Sequence, residues 1–130
     1  MAVMRIVKGL CAVACTLMVT VCDDNPALLT PGSGGSSGGA TVLITSTGFV
    51  PRNVTVERGA QVTFVNNDNR THEIRSDPHP GHGDCAAVNE VGVIQPGNSR
   101  QTGNLTTART CGFHDEESSD SAFQGTVLIQ

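Results

Sequence analysis

The chain has 130 residues, four Phe, no Trp or Tyr, and a formal net charge of −4. An acidic chain has no electrostatic reason to bind a phosphate backbone, and so few aromatic rings make a poor stacking platform, which together exclude a nucleic-acid partner. There is also no Gly-x-Ser-x-Gly, no phosphate-cradling glycine loop and no His-Glu-x-x-His, so nothing points to a hydrolytic enzyme.

The N-terminus reads as an export signal. Arg5 and Lys8 form a basic start and Gly9 to Val21 is an apolar run, shorter than the ~20 residues a comfortable membrane span needs. Cys22 follows directly, so residues 1–21 are expected to be a signal of the lipoprotein type, with Cys22 as the lipidated residue. From Cys22 onward six basic residues face twelve acidic ones, a balance of −6. Pro31-Gly-Ser-Gly-Gly-Ser-Ser-Gly-Gly39 cannot bury apolar surface, and residues 22–40 are expected to form a flexible tether. The predicted setting is the bacterial periplasm or an outer-membrane face, with a monomeric domain held by its lipid.

Residues 41–130 are expected to be the folded domain. Thr41-Val-Leu-Ile-Thr45 is rich in β-formers. Asn53-Val-Thr-Val-Glu57 alternates strictly, and Gln61-Val-Thr-Phe-Val-Asn66 and Thr71-His-Glu-Ile-Arg75 follow after turns. Ser76 to Ala86 holds two prolines and two glycines in eleven residues and predicts a loop. Val88 to Ile94 suggests a turn leading to a short strand, Pro96-Gly97 a tight turn. Strands are expected over Ser99–Leu105, Thr107–Cys111 and Gly125–Ile129. Seven or eight short strands without a helix predict an all-β, Greek-key β-sandwich. A domain this small buries only ~60–65% of its unfolded surface, so metal or disulfide support would help it.

Phe49-Val-Pro-Arg-Asn-Val-Thr-Val, Gly59 to Asn67, His72, Gln95-Pro-Gly-Asn-Ser99, Cys111-x-x-His114 and Phe123-x-Gly125-Thr-Val, in that order, resemble the cupredoxin family over essentially all of 41–130. Ser76 to Cys85, beside Cys-Gly-Phe-His-Asp, is also similar to a subgroup of bacterial cupredoxin-like proteins. The resemblance implies a mononuclear copper site with His72, Cys111 and His114 as ligands, used for one-electron transfer to a redox protein partner rather than for catalysis. The family's axial methionine is matched by Phe123. All three methionines of the chain lie at or before Met18.

A second reading competes for the same sulfur. Outside the cytoplasm, Cys85 and Cys111 are the pair left to form a disulfide. That bond would close about 25 residues and stabilise by ~3 kcal/mol. It would leave a sandwich module whose His72, His114, Asp115 and Glu116, with His79 and His82 as possible extra ligands, bind Cu(II) or Zn(II) without the blue thiolate colour, or bind no metal. The acidic run Asp115 to Asp120 would attract cationic partners.

Overall fold

A computed structural model describes residues 38–130. The expected signal, Cys22 and nearly all of the tether lie outside the described residues. Nine strands run through them: β1 (Ala40–Thr45), β2 (Gly48–Val50), β3 (Asn53–Val56), β4 (Val62–Asn66), β5 (His72–Ser76), β6 (Gly92–Ile94), β7 (Ser99–Gln101), β8 (Arg109–Asp115) and β9 (Gln124–Ile129). They form a β-sandwich of a four-stranded sheet, β2-β1-β4-β7, and a five-stranded sheet, β3-β9-β8-β5-β6. Both sheets are mixed, with β1 parallel to β4 and β3 parallel to β9. The only helical pieces among the described residues are short 3₁₀ turns at Ala86–Glu90 and Ser121–Phe123.

Period-two alternation explains the layers. Val42 and Ile44 on β1, Val54 and Val56 on β3, Val62 and Phe64 on β4 turn inward and are buried, while their neighbours face out. All four phenylalanines meet between the sheets. Phe49 lies 5.4 Å from Phe113 and 5.6 Å from Phe123, and Phe64 stands edge-on to Phe113 at 5.1 Å. Such edge-to-face contacts add to the area that the rings bury. Gly125 is required beside this cluster, because a Cβ there would lie 2.5 Å from the Phe113 ring and 2.1 Å from the Arg52 carbonyl.

Two strands depart from the expected bounds. Ser99–Leu105 pairs only to Gln101. Beyond it the chain bends away with its polar groups still satisfied: the Thr102 hydroxyl accepts the Val62 N–H and the Leu105 N–H donates to the Ala60 carbonyl. Conversely, β8 does not stop at Cys111 but continues to Asp115. Its pairing with β9 runs unbroken from Arg109 opposite Ile129 to His114 opposite Gln124. That extension decides the geometry of the site.

Candidate metal centre

The register of β8 separates the three expected copper ligands. Ile74 lies opposite Asp115 and Ser76 opposite Phe113. On that register residue 78 would stand opposite Cys111, six positions along from His72 (78 − 72). At about 3.3 Å per residue this is a separation of about 20 Å. Cys111 and His114 also occupy odd and even positions of one strand, so their side chains leave opposite faces of the sheet. Cys111 points into the core and is bonded to Cys85, with Cα atoms 5.8 Å apart. The implied trio of His72, Cys111 and His114 is therefore not assembled. Its sulfur is spent in a bridge, and the residues present there do not fit a thiolate-bound copper.

His72 has a different role. Its Nδ1 faces Asp115 Oδ2 at 2.7 Å and its Nε2 faces Asp68 Oδ2 at 3.1 Å, all three side chains being buried. Both ring nitrogens are taken up by buried carboxylates, and His72 is not among the side chains that converge on a shared point. The remaining capacity is used as well. Asp115 Oδ1 accepts the Glu73 and Glu117 amides, and Asp68 accepts the Asn69 amide and Arg70 Nε. Burial pushes the Asp68 carboxyl up, but the Asn69 amide, Arg70 and His72 together outweigh it and hold the group below its ordinary value. Phe123, expected on the axial side of a copper, instead stacks on His72 at 5.5 Å with an interplanar angle of 19°, and Arg70 lies over the Phe123 ring at 5.8 Å. It shields an ion pair rather than a metal.

A second group of histidines gathers on the outer face of the five-stranded sheet. His79 and His82 come from the Pro/Gly loop between β5 and the first 3₁₀ turn, His114 from β8, and Glu116 from just beyond it. One ligand atom from each lies within 4.8 Å of all the others. Glu116 Oε1 stands 2.7 Å from His82 Nε2 and 3.3 Å from both His114 Nε2 and His79 Nδ1. The three rings are 5.3 to 5.9 Å apart. Three imidazoles and one carboxylate converging on a point form a donor set suited to Cu(II) or Zn(II).

The far sides of two rings strengthen this reading. His114 Nδ1 lies 2.6 Å from Asp77 Oδ1, and His82 Nδ1 lies 3.0 Å from the Ser76 carbonyl. In each ring Nδ1 is engaged outward, which leaves Nε2 facing the shared point beside Glu116 Oε1. Such second partners are the usual companions of a ligating histidine. Burial of Glu116 pushes its carboxyl up, but the surrounding His114, His79 and His82 outweigh this and hold it below its ordinary value, so it meets an ion as carboxylate. A cleft of about 300 Å³, lined by His79, His114, Glu116, Ser118 and Gln124 among others, opens the group to solvent.

Gly112 makes the arrangement possible. A Cβ there would fall 2.0 Å from Asp77 Oδ2, so only glycine lets the Asp77 carboxylate cross β8 to reach His114. Sequence reasoning named His79, His82, His114 and Glu116 but missed Asp77 and Asp68. The signal available for Asp77 was its place in Asp77-Pro-His79, two residues before a candidate ligand.

No family model matches the chain. It is 29% identical over 87 residues to a plastocyanin of Ulva prolifera, covering 65% of this chain and 89% of the relative. Among solved structures it is similar to a purple cupredoxin from Nitrosopumilus maritimus (TM-score 0.57, 16% identity, 70% of this chain and 99% of the other). It is also similar to the oxidised form of a plastocyanin from Dryopteris crassirhizoma (TM-score 0.56, 20% identity, 70% and 100%).

Proposed function

We propose, from its cupredoxin-like fold and its 29% identity to a plastocyanin, that the chain is a copper-binding module of cupredoxin type whose site has moved. The ion is held on the outer face of the five-stranded sheet by His79, His82, His114 and Glu116. The observation that carries the reading is the convergence of these four donors, two of them with Nδ1 already engaged elsewhere. Three nitrogens and an oxygen favour Cu(II) over Cu(I), and Cu(II) over Zn(II) by the general affinity order of divalent ions. Such a set suits holding or exchanging the ion better than rapid electron transfer, which the family pursues through a thiolate. The graded exposure fits exchange: His114 is 10% exposed, Glu116 20%, His82 22% and His79 65%, so the outermost ligand is the one an incoming partner would displace first.

Titration of the disulfide-bonded domain with Cu(II) against a chromophoric chelator tests the proposal. One equivalent should bind, and His82→Ala or His114→Ala should weaken it by at least tenfold, whereas His72→Ala should not. Binding that survives both loop and strand substitutions, or that needs His72, contradicts it.

Export and lipid anchoring complete the proposal, supported by the apolar run that ends at Cys22. Among the described residues no helix is long and apolar enough to cross a membrane. Cys22→Ala should release the protein from the membrane fraction; unchanged partitioning would count against an anchor.

A further inference from the structure

We propose that the Cys85–Cys111 bridge is the positioning element of this metal site, setting its affinity without touching the ion. The inference rests on the reading that His79, His82, His114 and Glu116 bind a metal. Two ligands ride on the loop 77–85 and two on β8 and its continuation, so affinity depends on how firmly the loop is fastened to the strand.

Besides the Asp77–His114 contact, the fastenings converge on residues 109 to 112. Beyond Ser76, strand β5 leaves the edge of β8, and the loop takes over the backbone groups of Gly112. The Asp77 N–H donates to the Gly112 carbonyl at 3.0 Å, and Asp84 Oδ2 accepts the Gly112 N–H at 3.1 Å. Asp84 also pairs with Arg109, and the next residue, Cys85, is bonded to Cys111. Within the loop the Asp84 N–H donates to the Asp77 carbonyl and the His82 N–H to the Pro78 carbonyl, both at 2.7 Å. The two ends of the loop are thus tied to each other and to one short piece of β8. Of these ties only the bridge is covalent. The others are single hydrogen bonds and one partly exposed ion pair, each weak on its own.

The bridge also acts from the opposite side of the sheet. Cys111 and Cys85 belong to the core cluster, while His114 leaves the other face of β8. The sulfurs therefore cannot be ligands. They hold His82 and His79 over His114 so that less conformational freedom is lost when an ion arrives. They also keep the softest donors of the domain out of the ligand set, which preserves its preference for Cu(II) and Zn(II).

The test compares Zn(II) affinity, by chelator competition, between the bridged wild type and Cys85→Ala/Cys111→Ala, with far-UV circular dichroism and thermal unfolding as checks on the fold. A folded double variant should bind Zn(II) about tenfold or more weakly, the scale of a typical coupling between sites. Equal affinities overturn the inference. If the bridged protein binds no Zn(II), it is the metal reading that fails, a different outcome from the first. Should the double variant not fold, the wild type supplies a second measurement through reciprocity of the coupling. In a glutathione redox buffer the bridge equilibrates with its dithiol, two glutathione thiols becoming glutathione disulfide as Cys85 and Cys111 take up two electrons and two protons. Thiol alkylation read by mass should then show a several-fold smaller reduced fraction at equilibrium in the Zn(II)-loaded domain than in the metal-free one. Identical fractions overturn the inference as well.

Discussion

Gly112→Ala separates the metal site from the fold. The new Cβ would lie 2.0 Å from Asp77 Oδ2, 2.8 Å from Cγ and 3.0 Å from its Cβ. The three nearest atoms all belong to the Asp77 side chain, and 46% of it is exposed, so it can swing into solvent at small cost to the fold. What is lost is the 2.6 Å contact that orients His114. Removing a partner of that kind costs typically 10–100-fold in metal affinity. Gly112→Ala should therefore lower Cu(II) and Zn(II) affinity within that range while the metal-free unfolding midpoint in urea moves little. Asp77→Ala should reproduce the loss. Because both act through one carboxylate, the double variant should be no weaker than either single one, a strongly non-additive cycle. Wild-type affinity in Gly112→Ala, or losses that add in the double variant, would refute the reasoning.

Other consequences follow from the buried ion pairs. His72→Ala leaves the buried Asp68 and Asp115 carboxyls without the imidazole that joins them, and removing one partner of a buried pair costs about 3–5 kcal/mol. Urea unfolding should show a loss of that size while one equivalent of metal still binds to the folded fraction. Acid sensitivity has a definite sign. The folded Asp68 carboxyl lies below its ordinary value of 3.8, so its contribution is fully present above that value and is lost as pH falls through the lower, folded one. Unfolding midpoints measured from about pH 5 down to about pH 2 should drop more steeply in wild type than in Asp68→Asn; parallel curves would count against this. Metal affinity should also fall on acidification, because protons compete for the imidazoles and for Glu116.

The alternation of apolar residues made the sandwich legible, since Val54/Val56 and Val62/Phe64 can bury only one face each. The loop with His79 and His82 was legible as a loop because prolines and glycines forbid anything regular there. The role of Cys111 was not. Cys-x-x-His reads the same whether the strand ends at the cysteine, as a shared thiolate and imidazole site requires, or runs on to Asp115, as it does here. Gly112 within the segment and an acidic run behind it gave no hint of continuation, and only the pairing with β9 fixes it. The resemblance implies His72 as a ligand, and the partner that matters most for its actual role, Asp115, is 43 residues away, while Asp68 lies in the preceding turn. Long-range register, which single-strand patterns do not encode, decides both cases.

The displaced site itself is tested most directly by one spectrum. Stoichiometric Cu(II) is added to the disulfide-bonded domain, with no free thiol detectable, and the visible absorption and electron paramagnetic resonance are recorded together. The expected result is a pale complex with hyperfine structure of nitrogen and oxygen donors and no intense thiolate-to-copper band. An intense blue or purple band, lost on Cys111→Ala, would contradict the account.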